Sequence, residues 1–451
     1  MSRSARPQQQ STEWGLNTTT YLTKAGRSST GAGPLDSSAF DYGGRIINQG
    51  PRYRSIFPSL FNLGFRLYKF DPRQLEEFED FELPPRITTS SSLNHLQQFV
   101  PERSRGTNTY THTHTPTSTA DQAMATTALS GAAFGAALVA AGVYQPSVII
   151  AQLKFENWHM IQAFLAAAAS STVFVLVLDQ AGYVRPKPRS PSRLGLFSQY
   201  DGNILGGSIL GAGMAISGSC PGTVLAQIAV GTKSGVYVLG GAVLAGIMWT
   251  GFLQKLLTSN ASSAPPENPK LTVHERVGLS RAVAFVGVEA LFAGIIYASM
   301  KYTPASPYAV VAPTIGGLLI GLAQLFSLLS RKSMLGVSTS YDEIGRYFWW
   351  AVQGGGEKGK PSYSNILFSA SLAAGAWAVA TTYPEFALGA ADTAVSPQLA
   401  VVGGFLIGLG SRIGGGCTSG HGLSGISLFS TASFITVASM FGAGALVASY
   451  L

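Results

Sequence analysis

The chain has 451 residues, a formal net charge of +8 at pH 7 and only 12% charged residues, about half the usual share. Its mean hydropathy is +0.24 although roughly the first quarter is polar, so the remainder is strongly apolar and indicates a polytopic membrane protein. The basic residues lie between apolar segments without interleaved aromatic residues, which argues against a nucleic-acid partner, and two cysteines exclude a secreted disulfide framework.

Residues 1–123 are predicted to form a disordered polar extension. Ser, Thr, Gln, Pro and Gly dominate there, and residues 109–119 are low-complexity sequence. The extension has no apolar signal-peptide core and does not form a convincing transit peptide. Met124 lies just ahead of the first apolar segment and is a candidate start of the functional unit.

Nine charge-poor segments follow, several of them long enough to cross a bilayer, which takes about 20 residues. The middle segment links two groups of four. We therefore divide the chain into a first transmembrane repeat (124–257), a linker with one transmembrane helix (258–305) and a second repeat (306–451). The predicted spans are 126–143, 158–178, 204–219, 235–256, 281–300, 308–329, 366–382, 399–414 and 433–451.

Shorter apolar pieces stand beside several of these spans, and most begin at Pro or Gly. They are too short to cross, so we predict half-helices that enter the membrane and break, covered by protein or facing a water-filled cavity. These pieces are residues 146–152, 221–230, 334–344 and 418–429.

Both cysteines occupy the same glycine-rich frame. A constant offset of 197 residues superimposes seven positions, which is difficult to attribute to chance when both of the only cysteines are included. The matching pairs are Gly206 and Gly403, Gly207 and Gly404, Gly211 and Gly408, Gly213 and Gly410, Ile216 and Ile413, Gly218 and Gly415, and Cys220 and Cys417.

An offset of five spans turns the second repeat upside down relative to the first. The expected fold is an all-α membrane protein with about nine transmembrane helices plus re-entrant half-helices in an inverted repeat, a common transporter plan with its substrate site near the midplane.

The loop charges favour one orientation. Eleven Lys and Arg residues fall on the side of the N-terminus and three on the other, so the N-terminus is expected on the cytosolic side, or in the matrix if the membrane is mitochondrial. We take the plasma membrane as the preferred location. The first group is Arg185, Lys187, Arg189, Arg193, Lys270, Arg276, Arg331, Lys332, Arg346, Lys358 and Lys360, and the second is Lys154, Lys233 and Lys301.

The two thiols are the main candidates for chemistry, because each precedes a predicted half-helix. Backbone N–H groups and the positive end of the helix dipole collect at such a start and attract an anion. The alternative is that the glycines serve helix packing and each cysteine is a small hydrophobic residue. The candidate anion-binding residues around the thiols are Gly218, Pro221, Gly222, Thr223, Gly416, Thr418, Ser419 and Gly420.

Two further candidates are charged or titratable. Arg412 lies five residues before Cys417, and an intramembrane arginine is costly enough to suggest anion attraction. It could equally extend its charge to the aqueous face. His421 could donate a hydrogen bond to a substrate or carry a proton, or simply pack inside a polar loop. Both pairs of alternatives stay open.

The segments 415–422 (GGCTSGHG) and 217–223 (SGSCPGT) resemble the two signature segments of the YeeE/YedE sulphur-transport family, over residues 124–451. The resemblance implies a membrane importer of thiosulfate or a related sulfur anion, an hourglass-like fold, and Cys220 and Cys417 as central substrate contacts. It implies no cofactor or metal. This chain lacks the further pathway cysteine that thiosulfate-transporting members carry near the entrance.

Two other functions remain as alternatives. A membrane sulfurtransferase or thiol redox protein would pass sulfane sulfur covalently between the cysteines, although the chain has no Cys-x-x-Cys motif. A non-sulfur anion channel or a structural membrane protein would use neither thiol on a sulfur anion. Among these, the transporter accounts best for two duplicated thiols at two half-helix starts.

Overall fold

A computed structural model describes residues 119–258, 270–303, 310–356, 359–387 and 395–451. Within these ranges every regular element is helical, and the β-pairing is limited to an isolated bridge between Thr272 and Ser430. The prediction for residues 1–118 lies outside the described residues. Residues 119–123, which we predicted to belong to the extension, are already part of the first helix. The all-helical class predicted from the sequence is confirmed for the described part.

The first half of the described chain contains long helices separated by two short ones. The short helix α2 has Pro146 at its first turn, where the missing N–H costs nothing. The longer α4 ends at Gly218, which adopts a left-handed conformation with φ of +60°. The helices are α1 Thr119–Ala140, α2 Pro146–Leu153, α3 His159–Gln180, α4 Asp201–Ser217, α5 Thr223–Ala229, and α6 Lys233–Met248, which continues through a π turn, Trp249–Leu253, into α7 Gln254–Thr258.

The second half repeats this alternation with a different short element. Serine side chains cap α9 and α13, where Ser280 and Ser396 accept hydrogen bonds from the first helical turn. The helices are α8 Val273–Val277, α9 Arg281–Tyr302, α10 Pro313–Arg331, α11 Thr339–Val352, α12 Ser364–Thr382, α13 Pro397–Ile413, a π-helix Thr418–Gly425 with a 3-10 turn Ile426–Leu428, and α14 Thr431–Ala448.

Each of the nine predicted spans is a helix, and seven helices within the described ranges are long and apolar enough to cross a membrane. The count is eight if the bent pair Pro397–Ile413 and Thr418–Leu428, with 46° between its parts, is one span. The remaining predicted span is α4, whose 17 residues extend about 25 Å at 1.5 Å per residue. The protein is an integral multi-pass membrane protein, and the count of nine spans stays a prediction.

The predicted half-helix at 334–344 differs from the structure. The chain leaves α10 at Lys332 and stays non-helical until α11 begins at Thr339, well beyond the predicted start. Side chains hold this extended stretch: Leu335 N–H donates to Gln324 Oε1 at 3.1 Å, and Ser424 Oγ donates to the Leu335 carbonyl at 2.7 Å. Tertiary hydrogen bonds therefore replace the helical ones that the apolar pattern suggested.

The centre of the fold is the contact between α4 and α13, the two helices that precede the cysteines. On its other faces α4 packs against α14, and α13 packs against α6. Around them α1 packs against α12 and α10, and α3 against α10. After Cys417 the chain forms a π-helix of eight residues, three of which are glycines.

Candidate functional site

Cys220 sits in the short connection between α4 and α5. Its thiol is 7% exposed and accepts hydrogen bonds from the Thr223 N–H and the Thr223 hydroxyl, both at 3.4 Å. The Thr223 hydroxyl also accepts from the Cys220 N–H at 2.8 Å. Thr223 is the first residue of α5, so the sulfur lies at a helix start and accepts a hydrogen bond from one of its first N–H groups.

Cys417 occupies the corresponding place before the π-helix, of which it is the N-cap residue. It is 1% exposed, its Sγ lies 3.2 Å from Ser419 Oγ, and its carbonyl accepts the His421 N–H at 2.8 Å. The hydroxyl of Ser338 and the backbone N–H group of Gly420 also face this sulfur. Both cysteines are free thiols.

A cavity of about 70 Å³ brings the two motifs together. One part of its wall is Cys220, Gly222 and Thr223, and another is Thr418 and Ser419. The volume is several times the 10–15 Å³ or so that a single water needs, so a small anion fits. The rest of the wall is apolar, with the side chains of Phe134, Leu138, Val143, Met160, Phe164, Ala167, Ile320 and Leu423.

Cys417 does not line this cavity. It precedes Thr418 and Ser419, which do line the cavity, and its Sγ lies 3.2 Å from Ser419 Oγ. Cys220 therefore contacts the cavity directly, and Cys417 is adjacent to its wall.

The remaining candidate glycines have different local roles. Gly218 and Gly415, two positions before their cysteines at corresponding places, both adopt a left-handed φ, +60° and +77°, which bends the chain back into the protein. Gly416 lies against the His421 ring and the Arg189 guanidinium. Gly420 also lies against the Arg189 guanidinium. Pro221 contributes its carbonyl, which accepts from the Tyr341 hydroxyl at 2.9 Å.

Two of the sequence candidates are engaged by protein groups. Both ring nitrogens of His421 are occupied, Nδ1 by Ser433 Oγ and Nε2 by the Gly414 carbonyl, each at 3.0 Å, and the ring is buried. No ring nitrogen remains for a solute in this arrangement, which favours the packing alternative. Arg412 points toward α11, where its Nη2 donates to Ser338 Oγ at 2.8 Å.

Arg189 is a residue of this site that the sequence reading missed. From the loop between α3 and α4, its Nε donates to the Gly420 carbonyl at 2.7 Å and its Nη1 to the Gly415 carbonyl at 2.9 Å. One guanidinium thus holds both ends of the turn that carries Cys417. The sequence signal was only a basic residue in a basic loop, which says nothing of a partner 231 positions away.

We expect Arg189→Ala to lower the stability of the folded protein by about 2 kcal/mol, since hydrogen bonds from a charged donor contribute about 1.5–3 kcal/mol each and one of these is solvent-exposed. Release of the turn should also speed the reaction of Cys417 with N-ethylmaleimide. Thermal unfolding in detergent and peptide mass spectrometry of the labelled protein measure the two effects.

The matched control is Arg185→Ala on the same loop, whose side chain is 79% exposed and pairs with Asp179 at 3.4 Å. It should change neither quantity, because exposed ion pairs contribute little. Equal melting temperatures and equal labelling rates for the two variants would show that Arg189 does not hold the turn.

Comparison with known proteins decides the family. A family model described as sulphur transport matches residues 140–447, well over half of the chain. The chain belongs to the sulphur transport family. The match includes both cysteines, the short helices that follow them and every helix between, and it begins after the polar extension.

Individual relatives in this family are named as transporters. The thiosulfate transporter TsuA of Spirochaeta thermophila is 25% identical over 325 residues, covering 69% of this chain and 93% of the relative. Probable transporters from two strains of Xylella fastidiosa are 32% and 31% identical over 139 residues, 31% of this chain but 93% of each relative. These shorter relatives therefore correspond to less than half of the chain.

Proposed function

We propose that this protein imports thiosulfate or a related sulfur-containing anion across a membrane, along a path that passes Cys220 and Cys417. The observation that carries the proposal is the single cavity that Cys220, Gly222 and Thr223 share with Thr418 and Ser419. The starts of two short helical segments meet there, and a helix start attracts an anion, although the surface that faces the cavity is almost wholly apolar in this structure. The named function of the TsuA relative supports the choice of solute.

The thiols act as neutral groups in this proposal. Thiosulfate is a dianion and a thiolate would repel it, whereas an S–H group is a weak donor to a terminal sulfur. Stronger donors for the oxygens require the Thr418 and Ser419 hydroxyls to turn into the cavity, because in this structure Thr418 donates to the Met214 and Met440 sulfurs and Ser419 lies 3.2 Å from Cys417 Sγ. Weak contacts at successive sites allow the ion both to enter and to leave.

In this proposal Ser419 forms a constriction between the two thiols, because it lines the cavity and also contacts Cys417 Sγ. The anion first occupies the cavity beside Cys220, and a shift of Ser419 away from Cys417 Sγ, now 3.2 Å distant, exposes the second thiol. The path is then hourglass-like, with its narrowest point between the thiols. No covalent intermediate is needed for this passage.

An inverted repeat with nine spans is part of the proposal, and the packing supports it. If α1, α3, α4 and α6 correspond to α10, α12, α13 and α14, the α1–α12 contact becomes α10–α3, and the α4–α14 contact becomes α13–α6; all four occur. The Gly206–Gly410 approach likewise becomes the Gly403–Gly213 approach, and both occur. In this plan α4 also crosses the membrane, which brings the count of spans from eight to nine.

We also propose that the N-terminus faces the cytosol, or the matrix in a mitochondrial membrane, with the plasma membrane preferred. The excess of basic residues in loops on that side supports the orientation. An epitope tag at the N-terminus should react with antibody only after the cells are permeabilised, and staining of intact cells would contradict it.

Uptake into proteoliposomes tests the proposed function. Purified full-length protein should accumulate labelled thiosulfate faster than empty liposomes, with unlabelled thiosulfate competing and an equal concentration of chloride not competing. Labelled sulfate and sulfite, assayed in parallel, identify the preferred anion. The absence of uptake of all three sulfur anions would refute the proposal, and uptake of chloride alone would favour a non-sulfur channel.

A membrane sulfurtransferase is the second candidate, since two free thiols at one site also suit covalent sulfur transfer. It requires a persulfide on Cys220 or Cys417. Intact-protein mass spectrometry after incubation with thiosulfate should show no added sulfur if the transport proposal holds. A stoichiometric 32-Da adduct on either cysteine, estimated from the mass of one sulfur atom, would favour the enzyme.

A further inference from the structure

A buried guanidinium with incomplete hydrogen bonding lies next to Cys417. The Arg412 side chain is 10% exposed and sits at the last turn of α13. Its Nη2 donates to Ser338 Oγ at 2.8 Å, and that hydroxyl also faces the Cys417 sulfur. The Arg412 Nε has no hydrogen-bond partner. A buried arginine rarely leaves a donor unused, so this one has capacity for another acceptor.

The carboxylate nearest to this arginine, Asp342, lies too far away to form a hydrogen bond with it. Asp342 Oδ1 lies 3.9 Å from Arg412 Nη1, too far for a hydrogen bond, and Oδ1 has no hydrogen-bond partner. The other oxygen of Asp342 accepts from Arg346 Nη2 at 3.1 Å. The Asp342 charge reduces the penalty of burying Arg412, but the pair is loose and leaves both groups available.

Asp342, but not Arg412, lines a second, larger cavity. It has a volume of about 660 Å³ and is lined by Asp342, Arg346 and Thr339, the residue after Ser338. Its walls also carry Glu343, which is engaged at the start of α12: its Oε2 accepts from the Asn365 and Ile366 N–H groups at 2.9 and 3.0 Å. Asp342 is therefore the carboxylate of this wall that still has one oxygen, Oδ1, available to Arg412.

Cys417 lies close to the wall of each cavity without lining either. Thr418 and Ser419 belong to the first, and the second reaches Thr339, adjacent to the Ser338 hydroxyl that faces the thiol. An anion that leaves Cys417 toward α11 consequently meets Arg412 and Ser338 before it reaches the second cavity.

We propose that Arg412 and Ser338 form a second anion subsite beyond Cys417, and that Asp342 competes with the transported anion for Arg412. The inference rests on the proposed function. In the empty state the Asp342 carboxylate faces the guanidinium at 3.9 Å. An incoming sulfur anion takes the free donors and moves the carboxylate away, and the return of Asp342 expels the anion toward the second cavity. Asp342 is a positioning residue that acts through Arg412.

The direction of the effect makes the proposal testable. Asp342→Asn keeps the shape of the side chain and an acceptor for Arg346 but removes the competing charge. We expect its half-saturating thiosulfate concentration for proteoliposome uptake to fall about fivefold, because an internal competitor for a charged site has been removed. Arg412→Gln should raise the same concentration by at least about fivefold, because its charge and donors are lost.

The double variant separates a local from a general effect. If Asp342 acts through Arg412, Asp342→Asn has no effect on half-saturation in the Arg412→Gln background. Asp179→Asn is the matched control: it removes the same charge from a carboxylate that pairs with Arg185 and Arg281. It should leave half-saturation unchanged. Size-exclusion profiles and melting temperatures confirm that each variant is folded.

The outcomes distinguish this inference from the proposed function. If the unmodified protein takes up no sulfur anion, the proposed function fails. If it does, and folded Asp342→Asn binds thiosulfate no more tightly, or gains equally with and without Arg412, the competition is refuted. If Asp342→Asn is too unstable to purify, Ser338→Ala is the second variant. It removes no charge and should raise the half-saturating thiosulfate concentration for uptake.

Discussion

Replacing Gly211 by alanine is expected to prevent the protein from accumulating in a folded form. A methyl group there would lie 1.9 Å from the Met440 carbonyl oxygen and 2.8 Å from its carbon, both in the backbone of α14. A backbone atom in a packed helix cannot rotate away as a side chain can, so we expect a loss of at least about 3 kcal/mol. Fluorescence size-exclusion chromatography and thermal unfolding of detergent-solubilised protein measure this loss.

Gly240→Ala is the matched control for this experiment. Gly240 lies in α6, and an added methyl group would meet no atom within 4 Å. Alanine should be tolerated there or stabilise the helix by up to about 1 kcal/mol, because alanine favours the helix more than glycine does. If Gly211→Ala matched this control in yield and melting temperature, the close approach of α4 and α14 would not be required.

Replacing Cys220 by serine is expected to lower the initial rate of thiosulfate uptake by about tenfold or more. Serine keeps a hydroxyl donor of similar size and removes the soft, polarisable sulfur that lines the cavity, so the change isolates the contact with the anion's terminal sulfur. Uptake of sulfate, which has no such sulfur, should change less. Initial rates in proteoliposomes at equal protein content measure both.

Cys417→Ser should also slow thiosulfate uptake, by a smaller factor if passage of Ser419 rather than contact with Cys417 limits the rate. Thr381→Ala is a control at an exposed hydroxyl that bonds only to carbonyls of its own helix, α12. Undiminished transport by a folded double variant in which both cysteines are alanine would exclude any role for the thiols.

The helices and the duplicated thiol frames are predictable because they depend on local or repeated features. Windows without charge are as long as a bilayer is thick, so each of the nine predicted spans is a helix. The extended stretch before Thr339 was predicted as a half-helix because its residues are apolar, and apolar composition does not reveal the hydrogen bond between Leu335 and Gln324.

The site itself was only partly predictable. Their positions at helix starts identified four residues that line the cavity: Cys220, Thr223, Thr418 and Ser419. The position of Cys417 beside Ser419 depends on side-chain rotamers that no pattern encodes. Both open alternatives for His421 had equal support until its two ring nitrogens were found to contact Ser433 and Gly414.

Hydropathy was enough to establish a helical membrane protein, because bilayer thickness sets the length of the apolar segments, and the repeated glycine frame predicted a duplicated unit around each cysteine. Only the folded arrangement connects Arg189 with Gly420, Arg412 with Ser338 and Asp342, and α4 with α14. Those contacts join residues from 70 to 233 positions apart, and charge or hydrogen-bond complementarity between distant segments exists only once helix packing has brought them together.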